Sequence, residues 1–118
     1  MDTNLLYVPE GGRGSGRTTK QLERIFDVAQ AKKAHLFFIH AEDTNAYIVR
    51  LASAVLARKA IGHIFVRSRD LIEFAHGGKV QIMKQYVGTG RDYRLIGVPR
   101  ENIMLDHNLI EQMRQGIG

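Results

Sequence analysis

The chain has 118 residues, enough to bury one core and short of the room that two domains need, so residues 1–118 are expected to form a single domain. Apolar residues make up 44% and charged residues 25%, with two prolines, which excludes a disordered composition. The lack of cysteine excludes a disulfide framework, a thiolate zinc cage and a cysteine nucleophile.

Seventeen Lys plus Arg against twelve Asp plus Glu give a net charge of +5. That balance favours anionic partners such as nucleotides, nucleic acids or acidic proteins, although dispersed basic residues are equally what a solvated surface carries. No stretch nears the roughly 18 apolar residues of a membrane span. The opening Met1-Asp2-Thr3-Asn4 lacks the basic start and apolar run of a secretory signal. The expectation is therefore a cytoplasmic protein with no membrane partner.

Apolar runs alternate with helix-period segments, the pattern of an α/β domain with a mainly parallel sheet. Leu5-Leu6-Tyr7-Val8 reads as a short buried strand followed at once by a glycine-rich stretch. Leu22, Ile25, Phe26 and Ala29 recur at helical spacing and predict an amphipathic helix from about Arg17 to Lys32. His35 to His40 is a second buried strand. Asp43 or Thr44 can cap the following helix, whose apolar stripe is Ile48, Leu51, Ala52 and Val55 and whose stop is Gly62.

Ile64-Phe65-Val66 is a third strand. Ser68 to His76 fits either a short helix, capped by Ser68 and ended by Gly77, or one arm of a hairpin turning at Gly77-Gly78; the helix is the preferred reading. Val80 to Met83 gives a short strand, and Gly88-Thr89-Gly90 opens a polar loop that runs to about Arg94. Ile103-Met104-Leu105 forms a last strand that delivers Asp106 at its carboxyl end, ahead of a terminal helix containing Leu109, Ile110 and Met113.

Gly11-Gly12-Arg13-Gly14-Ser15-Gly16-Arg17-Thr18 follows a predicted strand and opens a predicted helix, and it fits the phosphate-binding loop pattern at every position but one. Backbone N–H groups that turn inward around a polyphosphate need small residues, because a Cβ blocks the close approach or the left-handed backbone angles. The helix start then aims its free N–H groups and positive dipole end at the phosphate, and Thr18 is placed to ligate Mg2+. The exception is Arg17, where the pattern has lysine: a planar fork replaces a compact ammonium, and Arg13 and Lys20 are the nearby cations.

The bland alternative is a glycine-rich turn that binds nothing, a dinucleotide or a passing sulfate. The dinucleotide spacing fails from either Gly11 or Gly12, although Glu42 and Asp43 follow the second strand.

A nucleoside triphosphate site also needs a carboxylate at a neighbouring strand end to hold Mg2+ through its water shell, and Asp106 has that context. Its structural alternative is a helix cap, shared with Asn108. Hydrolysis needs in addition a base or water-positioning group. His107 stands directly after Asp106 and Glu111 lies one turn further on, and these two are the candidate catalytic residues. His35, His40, His63 and His76 show no paired metal-ligand spacing and read as strand-end or loop residues.

With both motifs in place, the chain resembles the nucleotide-binding core of phage terminase large subunits and superfamily-2 helicases. Leu6-Tyr7-Val8-Pro9-Glu10-Gly11-Gly12-Arg13-Gly14-Ser15-Gly16-Arg17 looks like their strand and loop, and Tyr93-Arg94-Leu95-Ile96-Gly97 ahead of Ile103-Met104-Leu105-Asp106 looks like their approach to the second motif. The chain is also similar to small phage proteins that pair a phosphate loop with Asp-His in the second motif, which implies a viral origin and a host cytoplasm.

The resemblance implies a single three-layer P-loop domain with a mainly parallel sheet of about five strands, truncated after the second motif. It assigns phosphate contacts to Gly11, Gly14, Gly16, Arg17 and Thr18 and metal binding to Asp106; Gly12, Arg13 and Ser15 complete the loop. Arg17 and His107 depart from the residues most closely tied to turnover.

The implied function is binding of ATP or GTP with Mg2+, with weak or no hydrolysis. Two alternatives stand beside it: a DNA, RNA or protein interaction module that keeps the loop as an anion site, and an active NTPase or phosphotransferase. The strand that such ATPases insert beside the loop strand is not accounted for by the dozen or so residues after Asp106, so the acidic strand pairs with the loop strand directly, or a partner protein or a second copy completes the sheet.

Overall fold

The structure, a computed structural model, describes residues 16–85 and 97–111. The expected strand at Leu5 to Val8, the loop residues Gly11 to Ser15, the polar loop from Gly88 and the helical Met113 lie outside the described residues. The described elements are α1 (Arg17–Lys32), β1 (His35–His40), α2 (Ala46–Arg58), β2 (His63–Val66), β3 (Leu71–Phe74), β4 (Lys79–Lys84), a 3-10 turn (Arg100–Asn102) and β5 (Ile103–Leu105). A further helix, α3, starts at residue 107 and is described to 111.

The five strands form one sheet in the order β2-β3-β4-β1-β5. β1 lies between β4 and β5 and pairs with both in parallel, whereas β3 runs antiparallel to β2 and β4. The chain is thus an α/β protein whose mixed sheet has a parallel core and an antiparallel flank. Parallel pairing brings the carboxyl ends of β1, β4 and β5 to one edge: Ile39 stands level with Leu105, and His40 with Lys84.

Period-2 alternation in β1 divides the core. Leu36 and Phe38 pack with Val80, Ile82 and Met104 against Leu22, Ile25 and Phe26 of α1 and Ile48, Ala52 and Val55 of α2. Ile39 points the other way, with Met83, toward Leu109 at the start of α3. Both long helices therefore cover one face and α3 begins on the other. The helical stripe of α1 is buried as its spacing predicts, and the helix ends where Lys33 adopts φ 52 and donates its N–H to the carbonyl of Ala29.

Three sequence expectations are corrected. Residues 71–74 form a strand, not part of a helix: Leu71, Ile72 and Phe74 are all buried in a strand flanked on both sides, where a short helix would have buried one stripe only. Phe74 meets the ring of Phe26 edge-on at 5.6 Å. The hairpin turns at Gly77 and Gly78, with φ of 107 and 94, angles that glycine adopts without a Cβ penalty.

Neither Asp43 nor Thr44 occupies the cap position of α2, which belongs to Asn45; Thr44 contributes only a 3.3 Å acceptor to the N–H of Ala46. Nor does Gly62 stop that helix. It ends at Arg58, Ala60 takes φ 53, and the N–H of Ile61 returns to the carbonyl of Leu56. Gly62 instead accepts the N–H of Ala75, joining the approach to β2 with the end of β3.

Candidate functional site

α1 begins at Gly16, whose φ of 77 is left-handed and which has no side chain to cap it; its first turn carries no acidic residue. Such a start presents unshielded N–H groups and the positive end of the helix dipole. β5 delivers Asp106 to the same place. The N–H of Asp106 is held by the carbonyl of Ile39 at 2.8 Å, extending the β1–β5 pairing by one residue, and its carboxylate is 1% exposed.

Thr18 meets Asp106 there. Its hydroxyl donates to Oδ1 of Asp106 at 2.8 Å, joining positions 88 residues apart. Because a carboxylate only accepts, the hydroxyl proton is committed to Asp106, and Nε2 of His107, 3.0 Å from the same oxygen, must be the donor to Thr18. That places a proton on Nε2, and Nδ1 of His107 is buried with no hydrogen-bond partner among the described residues.

Gln21, one turn after Thr18, holds this arrangement in register. Its Nε2 donates to the carbonyl of Leu105 at 2.9 Å and its Oε1 accepts the N–H of His107 at 2.9 Å, so one amide grips the backbone on both sides of Asp106. Sequence reasoning did not single out Gln21. The available signal was a polar residue inside an apolar helical stripe, since Thr18, Gln21, Leu22 and Ile25 lie on one buried face.

Arg17 turns to the outer side of the cluster, where its guanidinium donates to Oε2 of Glu111 at 3.1 Å. The structure thus brings together Arg17, Thr18, Asp106, His107 and Glu111 around Gly16. The remaining loop positions, Gly11, Gly12, Arg13, Gly14 and Ser15, lie outside the described residues. Lys20 continues the helix, with its N–H on the carbonyl of Gly16.

A cleft of about 290 Å3 opens in front of the helix start. Gly16 to Thr19, Tyr47 and Leu51 of α2, and His107 line it. Its position, at the carboxyl edge of parallel strands, is where open α/β sheets place their ligands.

The donor set suits a hard cation. Mg2+ takes oxygen ligands at about 2.0–2.1 Å in an octahedron and draws most of them from water and phosphate, so it needs few protein oxygens, and neighbouring ligands would lie roughly 2.9 Å apart. The separation of Thr18 Oγ1 and Asp106 Oδ1 is 2.8 Å. Among the described residues no group of three or more His, Cys, Asp or Glu gathers as a metal site, which a phosphate-borne Mg2+ does not need.

A second buried polar cluster lies at the same sheet edge. The N–H of Glu42 donates to Nδ1 of His40 at 3.1 Å, so the His40 proton sits on Nε2 and donates to Oδ1 of Asn45 at 2.6 Å. Asn45 passes the chain on to Oδ2 of Asp70 at 2.6 Å. His40, expected as a strand-end residue, is 0% exposed, and this relay pins the entry of α2 to the turn between β2 and β3.

In comparisons with family models, with curated proteins and with solved structures, nothing matches the chain. Among the described residues no helix is long and apolar enough to cross a membrane.

Proposed function

We propose that the chain is a small nucleotide-binding protein of the P-loop type that takes ATP or GTP with Mg2+ and turns it over slowly or not at all. The observation that carries this reading is the 2.8 Å bond from Thr18 to Asp106. It joins the hydroxyl of a helix start that follows a glycine run to a carboxylate at a parallel strand end, the two protein oxygens that a phosphate-bound Mg2+ calls for. In this reading the uncapped first turn of α1 receives the phosphates. Mg2+ neutralises the phosphate charge, and Thr18 and Asp106 are the residues that hold it.

Slow turnover follows from how the remaining polar groups are engaged. Glu111 is paired with Arg17, so a water-activating carboxylate and the cation in the lysine position occupy one another. His107 offers an imidazole where fixed negative charge is wanted, and its Nε2–H is turned to Thr18.

Thermal denaturation with ATP, GTP and ADP, each with and without Mg2+, tests the proposal. A ligand that binds only the folded state raises the melting temperature. The expected result is Mg2+-dependent stabilisation by a triphosphate that sulfate does not reproduce; the absence of any shift with all three nucleotides overturns it.

A further inference from the structure

α2 carries two apolar faces. Ile48, Ala52, Val55 and Leu56 are buried against the sheet. Tyr47 and Leu51, four residues apart and therefore on one side of the helix, line the cleft, Leu51 while also packing, partly buried, against the core. Tyr47 is 47% exposed, and among the described residues Ile64 is the only other large apolar side chain so exposed. The core does not account for an aromatic ring held there.

We propose that Tyr47, backed by Leu51, is the platform on which the nucleobase of the bound nucleotide stacks. The proposal rests on the nucleotide-binding reading and adds the subsite for its planar end. The cleft has the two-sided chemistry that such a ligand needs. Gly16 to Thr19 bring backbone N–H groups and hydroxyls to the lining, and Tyr47 and Leu51 add an aromatic and an aliphatic side chain to it. Its volume, about 290 Å3, falls just below the roughly 300–1,000 Å3 typical of small-ligand sites, which are mostly apolar with a few placed polar groups.

The platform is also held in place. Asn45, at the cap position two residues before Tyr47, is fixed between His40 and Asp70, and Ile48, directly after it, is 1% exposed. The backbone that carries the ring is thus held on both sides, which lowers the ordering cost when a base covers it. Stacking on an aromatic side chain accepts any base, because every base presents a π face.

Calorimetric titration of the full chain with Mg2+-ATP and with Mg2+-tripolyphosphate tests this, using wild type, Tyr47→Ala and Tyr47→Phe. Wild type is expected to hold ATP about tenfold more tightly than tripolyphosphate, the scale of one aromatic stack. Tyr47→Ala should lose that advantage while keeping its tripolyphosphate affinity, and Tyr47→Phe should retain it. Unfolding curves of the three proteins should coincide, since the ring contributes little to the core. If wild type binds both ligands equally, or Tyr47→Ala binds ATP as wild type does, the base platform is overturned and the phosphate site stands. If neither ligand binds to wild type, the nucleotide-binding reading falls and the platform with it.

Discussion

Nε2 of His107 lies 3.0 Å from Oγ1 of Thr18, the oxygen whose proton is given to Asp106. One of the two lone pairs on that oxygen is therefore occupied by a histidine N–H, and a metal ion drawn to Thr18 competes with it. Replacing His107 by alanine frees the lone pair. A neutral hydrogen bond is worth about 0.5–1.5 kcal/mol, so Mg2+-nucleotide should bind His107→Ala roughly two- to tenfold more tightly than wild type, read by calorimetry. Weaker binding in His107→Ala would mean that the imidazole assists the ligand.

Asp106 separates a structural duty from a metal-binding one. Asp106→Asn keeps an oxygen for the Thr18 hydroxyl, so the fold should lose no more than about 1 kcal/mol, while the charge that attracts Mg2+ is gone. Asp106→Ala leaves the hydroxyl of Thr18, itself 8% exposed, without its acceptor and should cost about 1–3 kcal/mol. Urea unfolding gives the stabilities, and nucleotide thermal shifts with and without Mg2+ give the metal dependence. An Asp106→Asn protein whose nucleotide response still depends on Mg2+ would remove Asp106 from the metal site.

The contrast between these residues and the ones sequence reasoning missed is physical. Leu22, Ile25, Phe26 and Ala29 repeat over about two turns of α1, and His35 to His40 is an apolar run bounded on both sides, so both elements were legible in the sequence. Leu71 to Phe74 is too short for its period to choose between helix and strand; its neighbours β2 and β4 make the choice. Thr18 and Asp106 were legible because Thr18 follows a glycine run at a helix start and Asp106 follows an apolar strand. Gln21, Asn45 and Asp70 act through partners up to 86 residues away, which no local pattern encodes.

His35 gives the fold a measurable pH response. Its pKa is lowered from the ordinary 6.5, first by burial and then by the positive charges of Lys79 and Arg69, while its ring stacks on Phe37 at 4.5 Å. Above pH 6.5 the group is neutral in both states and contributes no slope. As the pH falls below that value the unfolded chain takes up the proton before the folded one, so stability declines until the folded group is protonated too. The melting temperature should therefore drop more steeply in wild type than in His35→Gln as the pH falls below 6.5. Parallel slopes for the two proteins would contradict the lowered pKa.

The turn between β3 and β4 offers the sharpest test of the hairpin that replaced the expected helix. Gly77 and Gly78 both have positive φ, yet their surroundings differ. A Cβ on Gly77 would meet only the flexible side chain of Lys33, at 3.2 Å or more, whereas a Cβ on Gly78 would lie 2.3 Å from the carbonyl oxygen of Ala29. That oxygen belongs to the last turn of α1 and accepts the N–H groups of Lys33 and Ala34, so it has little room to move. Gly77→Ala should cost the backbone strain alone, about 1–3 kcal/mol. Gly78→Ala adds a backbone clash that pushes the turn off the helix end and strains the bond from Lys79 N–H to the Ala34 carbonyl, for a total of about 3–5 kcal/mol. Urea unfolding of the two variants should rank them in that order by at least about 1 kcal/mol; equal losses would show that Gly78 does not pack against the end of α1.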